Sequence, residues 1–262
     1  MCGWSDRSDV VKMLKELKNL LAFLTIIPVG MTEDYLIDSA KYMTLFPLIG
    51  AFIGSLAGIF AWLLHQTLPD PIVGTLTLGF LLLITGLHHT DGLLDFGDGL
   101  MYRGPPERKI EVMHDQRTGA GGLTLGMITL LTTALCIAGL NENMIIQSLI
   151  VSEASAKLSM VVGAWAGKSA HKGMNTYFIN TMHDRHRNKR LLFALIISFS
   201  VATCFLWIEG LIVVMSGIIT GLIIVGISNR HFEGLTGDVF GAMNELTRMI
   251  SLLMILAVVR WV

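Results

Sequence analysis

Charge is scarce in this chain. Of its 262 residues only 15% are Asp, Glu, Lys or Arg, while 53% are hydrophobic. Soluble domains carry about 25% charged residues, so this composition excludes an ordinary water-soluble fold and points to a lipid-embedded one. An excess of basic charge is lacking too: the formal net charge of −1 excludes the basic stripe of nucleic-acid binders, and no nucleic-acid partner is expected. Cysteine is nearly absent. Cys2, Cys136 and Cys204 are odd in number and have no CxxC spacing, which argues against zinc and against a disulfide framework and leaves them as packing residues. Residues 1–18 are polar and charged with no small-residue cleavage pattern after them, so no cleavable signal peptide is expected. With no fixed-period repeat and no low-complexity linker, residues 1–262 read as a single transmembrane catalytic domain.

What the chain has instead is long apolar runs, at Met43–Leu64, Ile72–Leu87, Leu123–Leu140, Met144–Gly167, Leu191–Ile208, Leu211–Ile227 and Met249–Val262. A spanning helix needs about 20 residues, and with their flanks these runs predict an all-α, polytopic bundle of about seven transmembrane helices. Counted from an N-terminus on the cytoplasmic side, residues 65–71, 139–145 and 208–211 fall outside, and none of them contains Lys or Arg. Apart from Lys157 within a span and Arg260 at the end, the basic residues gather at the N-terminus and in 91–120, 168–190 and 229–248. By the positive-inside rule the expected localisation is a multi-pass cell-membrane protein with its N-terminus and polar loops cytoplasmic. Residues 10–30 begin as an amphipathic helix, with Lys12, Lys15 and Lys18 among Leu14, Leu17 and Leu21. The stretch ends at Ile27-Pro28, which predicts an interfacial or re-entrant element. Gly50, Gly54 and Gly58 recur every fourth residue and predict close helix packing. Glu209-Gly210 should split the last long apolar stretch into a hairpin.

The most informative stretch runs from His88 to Gly99. Asp91, Asp95 and Asp98 stand at i, i+4 and i+7 and share one face if helical. On ideal geometry His88 lies near that face and His89 points away. Like charges so arranged at a membrane boundary need a positive partner. Mg²⁺ is the economical one, being usually held by one or two carboxylates plus phosphate oxygens. Gly92, Gly97 and Gly99 weaken a helix, and their expected role is to let phosphates approach the backbone.

Further along, Arg103 and Pro105-Pro106 precede a short helix with Glu111, His114 and Asp115 on one face, followed by Arg117 and the cluster Gly119, Gly121 and Gly122. The acids and Arg117 are candidates to complete a cation and phosphate site, and the glycines could form a phosphate-approaching turn. Glu153 and Lys157, at i and i+4 inside a span, are expected to pair with each other. The histidine-rich basic loop 168–190 reads as attraction to the lipid surface. Arg230 and the segment Gly234–Glu245, with Asp238 and Glu245, offer a second acidic face at the same depth.

These residues resemble the cobalamin-5′-phosphate synthases, or adenosylcobinamide-GDP ribazoletransferases. His89, Asp91, Gly92, Leu93, Asp95, Asp98 and Gly99 match the pattern H-x-D-G-L-x-D-x-x-D-G. Arg108, Glu111, Met113, Asp115, Arg117 and Gly119 match its continuation, and Thr236, Gly237, Asp238, Gly241, Ala242 and Glu245 match T-G-D-x-x-G-A-x-x-E. Phe23-Leu24-Thr25 with Pro28, and Phe46 to Gly50, are also similar, so the likeness runs through almost the whole chain. Two positions depart from the pattern: His114 stands where the family usually carries Lys, and Lys157 where Arg is expected.

The resemblance implies a Mg²⁺-dependent transferase joining adenosylcobinamide-GDP to α-ribazole or its 5′-phosphate, with release of GMP. It selects His89 with Asp91, Asp95 and Asp98 as catalytic residues, the three aspartates also as metal ligands. Arg103, Arg108, Glu111, Asp115, Arg117, Lys157, Arg230, Asp238 and Glu245 are the substrate-binding set. A homo-oligomer is compatible with the sequence and not required by it. Two rivals share features: Asp95-Phe96-Gly97-Asp98-Gly99 reproduces the D-x-x-D-G opening of CDP-alcohol phosphotransferases without that family's later motifs, and an ion-coupled transporter would use Glu153, Lys157 and Asp238 as its pathway. No inverted repeat supports the transporter.

Overall fold

The computed structural model describes residues 5–30 and 35–258, with side chains in the first helix from Lys15 onward. Among the described residues the elements are α1 (Ser5–Leu24), α2 (Tyr35–Lys41), α3 (Phe46–His65), α4 (Asp70–Ile84), α5 (His88–Met101), α6 (Pro106–Met113), α7 (Ala120–Ala138), α8 (Ile145–Ala166), α9 (Met174–Met182), α10 (Arg187–Phe232) and α11 (Gly237–Val258). Extended structure is limited to one isolated bridge between Ser169 and Leu235.

Five segments are long and apolar enough to cross a membrane: Met43–His65, Ala120–Ala138, Glu142–Ala166, Arg187–Phe232 and Gly237–Val258. The pair α4–α5, bent by 96°, makes a sixth when it is counted as one broken span. The 46-residue α10 would extend about 69 Å if straight, more than twice the thickness of a bilayer's hydrocarbon core. It is broken at Leu206 and Trp207, where Trp207 has φ 50°. Beyond the break Gly210 lies against the backbone of Ala202, so the two arms run antiparallel. Read as two crossings, this hairpin brings the total to the seven expected. The turn falls just before the predicted Glu209-Gly210, and Gly210 supplies the close approach instead.

Helix α8 is the centre of the bundle, with 89% of its apolar window buried, whereas α7 is 33% buried and turns Leu123, Leu131 and Leu135 outward. The expected packing role of Gly50, Gly54 and Gly58 holds: a Cβ at these positions would collide with α8 at Glu153, Leu149 and Ile146 respectively, so α3 and α8 run antiparallel in close contact. The segments around 66–69 and 139–144 meet at one end of the bundle, where Gln66 Nε2 donates to Glu142 Oε1 at 2.6 Å. The tip of the α10 hairpin is at that end as well, because both its termini lie at the C-terminal end of α8: Arg187 bonds the Trp165 carbonyl, and Leu235, just past α10, packs on Gly167. The acidic and basic segments singled out above, apart from Glu153, Lys157 and Glu245, sit towards the opposite end.

Three expectations need correction. The second span does not continue to Leu87: Gly86 (φ 68°) and Leu87 (φ 63°) are left-handed, and the chain turns there into α5. The last span starts at Gly237 and not near Met249, so Asp238 and Glu245 belong to its first turns. The N-terminal helix does keep Lys15 and Lys18 exposed, but Leu20 and Leu24 are buried in the protein core and not in lipid. The side chains of Lys12 and Leu14, and Cys2 and Arg260, lie outside the described residues.

Candidate active site

Helix α5 forms despite its three glycines because each is needed where another element comes close. A Cβ on Gly92 would stand 2.7 Å from the Asp238 carbonyl oxygen, one on Gly97 2.9 Å from Gly122 Cα, and one on Gly99 2.5 Å from Met113 Cγ. These glycines, with Gly121 and Gly122, serve close helix packing. The consequence is functional, since the Gly92 seam brings the start of α11, and with it Asp238, onto the aspartate face of α5.

Asp91 is exposed, and Asp95, Asp98 and Asp238 are half-buried. The charges of Asp238, Asp91 and Asp98 all act on Asp95. Among the described residues none of these four carboxylates has an ion-pair partner. Their hydrogen bonds differ. Asp98 accepts from the backbone N–H groups of Gly119 (2.7 Å) and Gly122 (2.8 Å), capping the N-terminus of α7. Asp238 accepts from Thr236 Oγ1 at 3.2 Å.

A second charged group lies deeper, between α8 and α11. The Arg248 guanidinium bonds both oxygens of Glu153 and donates to Glu245 Oε2 at 2.5 Å. Lys157 Nζ donates to Asn244 Oδ1 at 2.5 Å, and Asn244 Nδ2 donates to Glu245 Oε1 at 3.1 Å. All five side chains are at most 1% exposed. The expected Glu153–Lys157 pair is not formed. Glu153 pairs instead with Arg248, which sequence reasoning missed. Lys157 and Glu245, expected to bind substrate, are enclosed in this network.

At the rim, α6 ends at Met113, so His114 and Asp115 do not continue the helical face of Glu111. Arg108 pairs with Glu111, and Arg117 Nε lies 3.3 Å from Asp115 Oδ1. The backbone and side-chain N–H groups of Arg117 hold the Asp115 carboxyl below its ordinary range. Both pairs are exposed, as are Arg103 and Arg230. His114 sits over the site, its ring centroid 5.5 Å from that of His171 and its charge acting on Asp238. Lys109, also missed, is buried with its Nζ 2.9 Å from His231 Nδ1.

A cavity of about 470 Å³ opens beside the acids. His88, His89, Asp91 and Asp238 border it, together with Phe240 and the ring cluster Phe23, Phe46 and Phe178. Both histidines therefore reach it, although His89 is only 8% exposed and its Nδ1 has no partner.

Among the described residues no three His, Cys, Asp or Glu side chains are grouped tightly enough to enclose a metal ion by themselves. A spread set of hard, uncompensated oxygen donors still suits Mg²⁺, which takes one or two carboxylates and completes its shell with substrate phosphates and water. A polytopic helical membrane protein with an unpaired acidic face at one end is thus the class that fold and site define.

Comparison with known proteins makes this specific. The model of the cobalamin-5-phosphate synthase family matches residues 16–256, and the chain belongs to that family. It is 36% identical over 253 residues to an adenosylcobinamide-GDP ribazoletransferase of Methanococcoides burtonii, with 92% of each chain covered. To that of Methanocella arvoryzae it is 35% identical, over 92% of this chain and 94% of the relative. A third, from Thermococcus kodakarensis, is 31% identical over 94% of this chain and 99% of its own. No solved structure matches the chain.

Proposed function

We propose that this chain is the transferase that joins adenosylcobinamide-GDP to α-ribazole or α-ribazole 5′-phosphate, giving adenosylcobalamin or its 5′-phosphate and GMP. Its membership of the family supports the reaction. The structural observation that carries it is the convergence of four carboxylates without ion-pair partners, from α5 and α11, beside a cavity.

In this reading a ribose hydroxyl attacks the cobinamide-side phosphorus of the pyrophosphate, and the bond to GMP breaks. Positioning and electrostatics supply most of the catalysis in such transfers. Asp91, Asp95 and Asp238 would hold Mg²⁺, with Asp98 contributing the lone pairs that its bonds to α7 leave free. Mg²⁺, when bound there, supplies the positive charge that offsets the charge growing on the leaving phosphate. Arg108 and Arg117, whose partners Glu111 and Asp115 are exposed and weakly held, turn to bind phosphate oxygens as forks, with Arg103 and Arg230 as further cations at the rim. Asp91 and His89 both border the cavity, and the hydroxyl proton passes to one of them.

The acidic end faces the cytoplasm in this reading, since the opposite end is free of Lys and Arg in all three of its connections. A cysteine placed at Asn141 should then be labelled from outside intact cells, and one at Arg117 only after lysis; the reverse pattern would overturn the orientation.

Purified protein given Mg²⁺, adenosylcobinamide-GDP and either nucleoside form should yield a corrinoid product and GMP, and EDTA should stop it. Turnover of a CDP-activated lipid precursor in place of these substrates would refute the reaction, and undiminished turnover in EDTA would refute the metal.

A further inference from the structure

The cavity has two chemically different walls. One carries Asp91, Asp238 and His89 and is continuous with the acidic face. The other is formed by Phe23, Phe46 and Phe178, a cluster with ring centroids 5.2 to 6.2 Å apart. Asn175, which is 2% exposed, also lines the cavity. Its Nδ2 donates to Ser169 Oγ at 2.7 Å and to the Leu235 carbonyl at 2.8 Å. The amide is thereby fixed by the bridge that ties the α8–α9 connection to the α10–α11 connection. His89 Nδ1, also at the cavity, is a buried polar atom without a hydrogen-bond partner among the described residues.

Volume separates the two substrates. At about 470 Å³ the cavity is in the range of small-molecule sites, which run from about 300 to 1,000 Å³ and bury most of a drug-sized ligand. A nucleoside with a bicyclic base fits that space. A corrin macrocycle with its side chains and a nucleotide tail does not, and must approach the acids from the open side. The polarity of the cavity matches a nucleoside too: flat, apolar faces at one end for an aromatic base, and carboxylates at the other for ribose hydroxyls.

We infer that this cavity is the acceptor subsite, holding the base of the incoming nucleoside against Phe23 and Phe178, with Asn175 beside it and the ribose turned to Asp91. The inference rests on the ribazoletransferase reading for the identity of the nucleoside. It also assigns sides: the nucleoside enters from within the bundle and the GDP-activated corrinoid from the rim bearing Arg108 and Arg117.

The test uses Phe178→Leu, which keeps apolar bulk without a ring, and Phe178→Trp, which restores an aromatic face. Stacking on one aromatic side chain changes affinity by about 5- to 160-fold. Phe178→Leu should therefore raise KM for α-ribazole by that factor and leave KM for adenosylcobinamide-GDP unchanged, with Phe178→Trp recovering much of the loss. Equilibrium dialysis of α-ribazole against the purified full-length protein, without corrinoid, should show the same order of affinities. A KM change confined to adenosylcobinamide-GDP, or equal α-ribazole binding by wild type and Phe178→Leu, would overturn the assignment. The dialysis reads nucleoside binding without turnover, so a protein that binds α-ribazole through Phe178 but releases no GMP would refute the reaction and leave the subsite standing.

Discussion

Two groups of charged side chains lie within a few helical turns of each other on α11, and they are built on opposite principles. In the deeper group Glu153, Lys157, Asn244, Glu245 and Arg248 bond one another and no water reaches them. In the other, Asp91, Asp95 and Asp238 face one another with no cation between them among the described residues. Removing one charge from a closed network leaves its partner buried and uncompensated, whereas removing one from a repelling set relieves strain. Charge in a membrane is thus structural where it is satisfied, and chemical where it is not.

The comparison breaks hardest at Arg248. Replacing Arg248 by Met strands two buried carboxylates, and breaking such a pair costs about 3–5 kcal/mol. The variant should lose most of its folded yield in detergent, and Glu153→Gln added to it should recover part; a wild-type melting temperature for R248M would dissolve the distinction. Next comes Asp95→Asn. It should lower GMP release by at least about 10²-fold, the scale of losing one transition-state electrostatic contact, while the melting temperature stays level or rises, because Asp91 and Asp238 no longer repel it. Near-normal turnover by D95N would remove the acids from the mechanism.

Asp98 stands between the two groups, in the acidic face yet bonded to Gly119 and Gly122. Asp98→Ala should cost about 0.5–2 kcal/mol of stability, as for other helix caps, and activity should fall as well. If stability were unaffected, Asp98 would belong wholly with the unpaired acids. The smallest structural effect is expected at Arg108, whose exposed pair with Glu111 contributes little to the fold. R108A should melt like wild type and raise KM for adenosylcobinamide-GDP roughly tenfold, the loss of one charged hydrogen bond. An unchanged KM would place Arg108 outside the site.

Much of this was legible because it depends on short spacing. The shared face of Asp91, Asp95 and Asp98, the packing glycines of α3, the restart of helix after Pro105-Pro106 and the hairpin near Gly210 are all set by neighbours within a few residues. What escaped depends on distance in the chain. Glu153 and Arg248 are separated by 95 residues, so the i+4 neighbour Lys157 looked like the natural partner. Asp98 reaches Gly119 and Gly122 only because Gly97 lets α5 and α7 touch, a fact invisible until the helices are side by side. The left-handed Gly86-Leu87 turn sits at the end of an apolar run with no proline to announce it. The cavity draws its aromatic wall from α1, α3 and α9, none of which carries a reactive group that would have marked it.

The break at Trp207 has a further consequence for where the chemistry occurs. Trp207 at the hairpin tip is 77% exposed, and Trp62 near the end of α3 is 42% exposed at the same end of the bundle. At the other end Trp165 holds the Arg187 guanidinium 5.2 Å from its ring centroid. Indoles settle at the headgroup level of a membrane, so these three act as floats on its two surfaces and fix the protein's draught. The acids lie at the end of the bundle away from the tip, so in the proposed reading they would sit at the waterline, within reach of a soluble nucleotide.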